Sequence, residues 1–374
     1  MMKLIYGLLF FITSTTIVAS PLKISLITCG TGEELYASFG HSGIRIIDSA
    51  NHIDDIYNYG MFNFSDPNFY MKFTRGTLLY YCAKEPSEQF MYAYQMDKRE
   101  VKEQVLNLTD TQATALKKVL DFNNLDENKY YKYDFLFNNC STKLRDIFDS
   151  LFGKSLVYQT VLPNDGLTFM GMLNSYLPNK HWERMGIDII LCSRVNEKMR
   201  NRESMFLPEW LSDNFAAATI NGQPLVKETR ILLPDGEIKT KEPNTALWLM
   251  SAIGILFGLI SFWKPNIGLW KVFDALLFST LGLLGFFFLF MWFGADHVET
   301  NHNGCLLWAL PTHVAFVYLA VNNKIKKYAT ISLILCLLSL LIIHPFIQST
   351  ALEIYPIIAL IAIRLYHHSI WKKN

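Results

Sequence analysis

Cys140 lies in the run Tyr133-Asp134-Phe135-Leu136-Phe137-Asn138-Asn139-Cys140-Ser141-Thr142, and 99 residues earlier stands a histidine in Phe39-Gly40-His41-Ser42-Gly43-Ile44-Arg45-Ile46. A thiol and an imidazole are the groups from which a sulfur nucleophile and its base are made: the thiolate attacks, and the ring takes and returns the proton. Two plain alternatives stand beside this one. A single cysteine is more often a small buried hydrophobe than a nucleophile. Disulfide pairing among Cys29, Cys82, Cys140 and Cys192, for which four cysteines allow three connectivities, would remove the nucleophile altogether.

Each group needs an element that fixes it. After Asn139, the residues Leu144, Ile147, Phe148, Leu151 and Phe152 recur at helical spacing while Lys143, Arg145, Asp146 and Asp149 fill the other face, so a helix should begin at or just after Cys140. Its unpaired N–H groups and positive dipole end would favour thiolate over thiol. His41 opens a stretch in which Ile44 and Ile46 point one way and Arg45 and Ile47 the other, as at the mouth of a strand. A strand-end histidine facing a cysteine on a helix N-terminus is the arrangement of papain-like sites. Here the histidine comes first, which predicts a circularly permuted, NlpC/P60-like version of that fold. Backbone N–H groups at the helix start, with Asn139, would hold an oxyanion, and Asn138 is a further supporting candidate. Asp48, Tyr57 and Asn58 are the candidates to orient His41.

Residues 21–235 have the length of one α+β domain. From Lys23 to Tyr94 the chain is rich in Ile, Tyr and Phe with turn signals at Cys29-Gly30-Thr31-Gly32, Asp66-Pro67-Asn68 and Arg75-Gly76, which reads as several strands. The aromatics from Tyr57 to Tyr94 either fill that core, the more frequent use of such residues, or line a channel for an acyl chain. Thr109-Asp110-Thr111-Gln112 matches a capping box, further helical pieces are expected near 165–177 and 208–218, and Asn221-Gly222 signals a hairpin. Residues 236–243 form a polar linker.

Net charge is +1 and 51% of residues are hydrophobic, so nothing points to nucleic acid. The excess is C-terminal: 243–263, 275–295, 300–323 and 328–352 lack Asp, Glu, Lys and Arg over 21, 21, 24 and 25 residues, each enough for a membrane helix. With a weaker fifth segment, spans are expected at about 244–263, 273–294, 304–321, 328–345 and 349–366, an all-α transmembrane bundle over 244–368. Lys264, Lys271, Lys324, Lys326, Lys327, Arg364, Lys372 and Lys373 fall on alternate sides from the uncharged loops near 295–304 and 344–350. Basic residues stay cytoplasmic, so the large N-terminal domain should be outside and the C-terminus inside. Residues 1–20, with Lys3 before Leu4 to Ile12 and small residues at Val18, Ala19 and Ser20, read as a signal peptide or an N-terminal anchor. No phosphate loop, His-Glu-x-x-His or Cys-x-x-Cys pair occurs, and neither metal nor cofactor is expected. On the outer side, His297, Asn301, Asn303 and His313 form a second candidate site, for a membrane substrate, because ionisable groups at membrane depth are unusual.

With these motifs assembled, the chain resembles the Lnb-type bacterial lipoprotein N-acyltransferases. The likeness rests on the two runs around His41 and Cys140, on Ile56-Tyr57-Asn58-Tyr59-Gly60-Met61-Phe62-Asn63-Phe64 leading into Phe69-Tyr70-Met71-Lys72-Phe73, on Met205-Phe206-Leu207-Pro208, and on Asn301-His302-Asn303-Gly304-Cys305-Leu306-Leu307-Trp308-Ala309-Leu310-Pro311-Thr312-His313. The resemblance implies transfer of a fatty acyl group from a phospholipid to the α-amine of a diacylglyceryl-cysteine lipoprotein, through a thioester on Cys140 with His41 as base. It also implies the bacterial inner membrane as the location, with the N-terminal domain periplasmic. A membrane-tethered cysteine peptidase or amidase acting on cell-wall peptides, and a non-catalytic membrane-anchored binding protein, are the competing readings.

Overall fold

The computed structural model describes residues 22–163, 166–236, 240–263 and 268–370. The expected signal segment, part of the 236–243 linker, and Lys264, Lys372 and Lys373 lie outside those residues.

Alternation of apolar and polar residues builds the N-terminal sheet. Its strands are β1 (Lys23–Cys29), β2 (His41–Asp48), β3 (Ile53–Met61), β4 (Leu79–Pro86), β5 (Val101–Leu106) and β6 (Tyr130–Lys132). The short β7 (Leu156–Val157), β8 (Thr219–Ile220) and β9 (Gln223–Pro224) make a separate small sheet, and β10 (Val226–Leu233) returns to the edge of the large one. The large sheet runs β10-β5-β1-β2-β3-β4-β6, with every neighbouring pair antiparallel. One face carries Ile24, Leu26, Ile44, Ile46 and Tyr57. Three helices cover it: Asp110–Asn123 with Leu116 and Leu120, Cys140–Phe152 with Leu144 and Phe148, and Pro208–Ala217 with Leu211 and Phe215. The opposite face packs Ile27, Cys29, Ile56 and Val101 against Phe90 of the helix Ser87–Met96.

The stretch from Lys23 to Tyr94, read as several strands, holds four of them, and that last helix is an element the reading did not include. Aromatic residues favour strands, yet Phe90 and Tyr94 recur four apart and lay one helical face on the sheet. A second short helix, Phe69–Thr74, interrupts the same stretch. The Asn221-Gly222 turn forms between β8 and β9 with φ of 50° and 77°, the two left-handed positions such a hairpin requires.

Among the described residues of the C-terminal region, three continuous helices are long and apolar enough to cross a membrane: Thr245–Trp263, Leu269–Phe293 and Ile325–Phe346. The remaining two expected spans differ from the sequence reading. The segment at 304–321 is broken, Val298–Leu307 and Pro311–Val321 meeting at 45°. Asn303 caps a short turn at Gly304–Leu307, and Pro311, which has no N–H to continue a helix, starts the next piece. The segment at 349–366 becomes a short turn, Leu352–Ile354, and a 16-residue helix, Tyr355–Ile370. Arg364, counted above as a loop charge, is instead buried in the bundle. Its guanidinium donates to both oxygens of Asp274 at 2.8 and 2.7 Å and to Ser261 at 2.6 Å, joining three of the helices.

Candidate active site

The N-terminus of the Cys140 helix is fixed by a reciprocal cap. Asn139 Oδ1 accepts the Thr142 N–H at 2.9 Å, and Thr142 Oγ1 accepts the Asn139 N–H at 2.7 Å. Cys140 is the first helical residue, so its own N–H and that of Ser141 have no intrahelical acceptor and point out of the helix end. All six cysteines are free thiols, five of them buried, and Cys140 is the one that reaches solvent. No disulfide therefore competes for the sulfur. Burial pushes Cys29 and Cys82 up to about 12, leaving them protonated and inert.

His41 is held at the mouth of β2 by its predecessor. Gly40 has φ of 78°, and a Cβ there would lie 2.6 Å from the Cys29 carbonyl oxygen, so only glycine permits this tight entry into the strand. Across the sheet, β2 pairs Gly43 with Asn58, and β3 pairs Asn58 with Ala83 and Ile56 with Glu85. His41, Asn58 and Glu85 thus lie diagonally on one face of three adjacent strands. His41 Nε2 is 3.0 Å from Asn58 Oδ1, and Asn58 Nδ2 donates to Glu85 Oε1 at 2.5 Å. The carboxylate fixes which way the amide faces, so the amide oxygen is presented to the ring. With Nε2 engaged, Nδ1 is the nitrogen left for the hydrogen bond between His41 and Cys140.

The two titrations move toward an ion pair. Burial opposes ionisation of Cys140, but the charge and hydrogen bond of His41, the backbone N–H of Ser42 and the Ser141 hydroxyl outweigh it, and the thiol falls below its ordinary range. Burial likewise disfavours the imidazolium, and the Cys140 charge with the hydrogen bonds to Cys140 and Asn58 holds His41 above its ordinary value. Ser42 Oγ and Ser141 Oγ, 3.0 Å apart, pin the strand to the helix one residue from each partner.

Gly60, with φ of 87°, lets the β3 end pass the thiol: a Cβ there would sit 3.6 Å from Cys140 Cβ and 4.0 Å from the Tyr131 hydroxyl. That hydroxyl is buried, takes the Gly60 backbone N–H, and is close enough to Cys140 to feel its charge. Neither Tyr131 nor Glu85 was singled out from the sequence. One is 9 residues before Cys140 and the other 44 after His41, and only strand register brings them in.

The other orienting candidates are placed elsewhere. Asp48 is at the far end of β2, where its carboxylate accepts from Asn51 Nδ2 at 2.7 Å and closes the β2–β3 turn. Tyr57 lies on the opposite face of the sheet, its hydroxyl donating to Asp121. Asn139 is no oxyanion donor, because its Nδ2 gives one hydrogen bond to the Phe135 carbonyl at 2.7 Å and one to the Phe206 carbonyl at 2.8 Å. Asn138 Nδ2 is spent on the Lys132 carbonyl at 2.6 Å.

Residues 13–165 match the Lnb N-terminal periplasmic domain, and residues 235–374 match the Lnb transmembrane domain. The chain belongs to the Lnb family. No curated protein and no solved structure matches it. It is a membrane protein of the Lnb type, with a periplasmic N-terminal domain followed by membrane-spanning helices.

The four membrane-side candidates do not converge. Among the described residues no hydrogen bond joins any of them to another, and three of the four hold other parts of the molecule. Asn303 Nδ2 donates to the Ile189 and Ile190 carbonyls at 2.8 and 3.0 Å, capping the helix His181–Ile190 of the periplasmic domain, and its Oδ1 accepts from Gln348 Nε2 at 3.0 Å. Gln348 also donates to the Leu191 carbonyl at 3.0 Å, so the two amides clamp one domain to the other. His297 Nε2 bonds the Phe73 carbonyl at 2.9 Å. His313 is fully buried within the bundle, hydrogen-bonded to the Tyr328 hydroxyl at 2.7 Å and packed on Phe278. Asn301 leaves its side-chain oxygen buried without a partner.

Proposed function

We propose that the chain is a lipoprotein N-acyltransferase of the bacterial inner membrane, its C-terminus cytoplasmic, moving a fatty acyl group from a phospholipid to the α-amine of a diacylglyceryl-cysteine lipoprotein. The observation that carries this reading is the Cys140–His41–Asn58 arrangement, a thiol of lowered pKa in a domain clamped onto membrane helices. Membership of the Lnb family supports it. The His-before-Cys order on a strand and a helix end supports a permuted papain-like ancestry for the domain.

In the first half-reaction the Cys140 thiolate attacks the donor ester carbonyl. The S–C bond forms, the ester C–O bond breaks, and the departing alcohol of the lysophospholipid takes the proton from His41. The tetrahedral oxyanion is met by the Cys140 N–H at the helix start and by the Tyr131 hydroxyl, donors already in place before the charge develops. In the second half-reaction the lipoprotein amine attacks the thioester. The N–C bond forms, the S–C bond breaks, His41 takes the amine proton, and thiolate and imidazolium are restored. A thioester is more reactive toward amines than the phospholipid ester, so two accessible steps replace one difficult aminolysis. A soluble peptidase has no need of a bundle clamped to its catalytic domain, whereas two lipid substrates do.

Wild type and Cys140→Ala expressed in a strain lacking its own lipoprotein N-acyltransferase test the reading. Mass spectrometry of lipoproteins should show the triacyl form with wild type alone. Equal product from both would refute the assignment of Cys140.

A further inference from the structure

The aromatic residues between β3 and β4 divide into two sets. Tyr80 and Phe69 are buried with Leu78 and pack against Tyr131 and Tyr133, the group that reaches back to the thiol. Phe64, Tyr70 and Phe73 are 60, 78 and 50% exposed, far more than a domain of this size needs to leave in water. The two sets are continuous: Phe69 contacts Phe62, Phe64, Tyr70 and Phe73, and Phe62 is two residues beyond Gly60, the residue against Cys140.

The exposed end of this aromatic track is tied to the top of a membrane helix. Asp296, just past the end of Leu269–Phe293, donates its N–H to the Arg75 carbonyl at 2.8 Å, and its carboxylate accepts from Lys132 Nζ at 2.7 Å. The neighbouring His297 bonds Phe73, as above, and the helix below ends in Trp292-Phe293, two stacked aromatics of the kind that collect at the membrane–water boundary. The short helix Phe69–Thr74 is therefore held beside the end of a membrane helix, with Tyr70, Met71 and Phe73 exposed.

We propose that Phe64, Phe69, Tyr70 and Phe73 form the seat of the donor phospholipid's acyl chain, drawing it out of the outer leaflet toward Cys140. This rests on the acyltransfer reading for its purpose, though the contact itself needs no thiol. An aromatic floor gives a flexible chain a large apolar surface, and keeping its methylenes out of water there offsets part of the cost of lifting the ester out of the membrane.

Full-length protein in nanodiscs containing a phospholipid with a diazirine at the acyl terminus gives the first test. Crosslinks mapped by mass spectrometry should fall on residues 64–73 in both wild type and Cys140→Ala, and crosslinks confined to the spans would overturn the proposal whatever the chemistry at Cys140. The second test replaces Phe64, Tyr70 and Phe73 by Ser together. Thioester formation from phospholipid should drop tenfold or more, while formation from a water-soluble short-chain ester changes less than twofold. Equal loss with both donors would make the track merely structural. Unchanged thioester formation with slowed transfer to the acceptor would assign it to the lipoprotein's lipid instead, and either result would end the proposal. No thioester from any donor, with crosslinks still on 64–73, would sink the acyltransfer reading and leave the lipid seat standing.

Discussion

At the scale of single residues, the reactive sulfur is made by what surrounds it. Six thiols share one chain, and the difference between Cys82 and Cys140 is a histidine, a strand N–H and a helix end. The pair titrates as a unit, each partner's charge favouring ionisation of the other against the burial that opposes both. The rate of alkylation of Cys140 by iodoacetamide should hold its plateau below the ordinary thiol pKa of about 8.5. His41→Ala should lift the inflection by at least about one pH unit and slow the reaction at pH 7 about tenfold, since thiolate falls tenfold per unit. Asn58→Ala and Glu85→Ala should move the inflection the same way by less, because they act through the ring's orientation. Superimposable profiles for all four proteins would show that the ring does nothing for the sulfur.

At the scale of elements, what the sequence told most clearly was local. The onset of the Cys140 helix and the Thr109 capping box each depend on residues three apart, and both form as read. Asn139 shows where that legibility stops. Its place before an apolar helical run marks a cap, but its second amide hydrogen goes to Phe206, 67 residues away, which no local pattern discloses. Asn58 was one of three candidates because which of Asp48, Tyr57 and Asn58 faces His41 depends on strand register and face. The same dependence hid Glu85. The helix His181–Ile190, which meets the membrane bundle, carries a further consequence. Asp188 is buried, and burial, only partly offset by Asn174 and Arg184, raises its carboxyl from 3.8 to about 6. The folded state thus holds this proton more tightly than the unfolded one, so the associated stability is full below about pH 4 and lost as pH rises through about 6. Asp188→Asn is expected to raise stability at pH 7 by about 1–3 kcal/mol, seen as a higher midpoint of thermal unfolding in detergent, with the gain gone at pH 4. A variant less stable than wild type at pH 7 would contradict this.

At the scale of the whole molecule, the two regions serve each other through a few polar side chains. Asn303 and Gln348 hold the last carbonyls of a periplasmic helix, and Asp296 and His297 hold the short aromatic helix, so two of the four membrane-side candidates, His297 and Asn303, are joints. Composition revealed the bundle because uncharged runs of 21 residues or more have few other uses. It did not reveal the break before Pro311 or the burial of Arg364, since a charge-free count is blind to turns and to a cation neutralised by Asp274. Both features depend on helix against helix. The joints set a catalytic thiol at the end of an aromatic track that starts at the bilayer, and the central claim is that this thiol carries the acyl chain. Full-length protein reconstituted with phospholipid, without lipoprotein acceptor, and measured by intact and peptide mass spectrometry tests that claim most directly. One fatty acyl group should appear on the peptide containing Cys140, be released by neutral hydroxylamine, and be absent from Cys140→Ala; acylated lipoprotein made by a chain whose Cys140 never bears the adduct would contradict it.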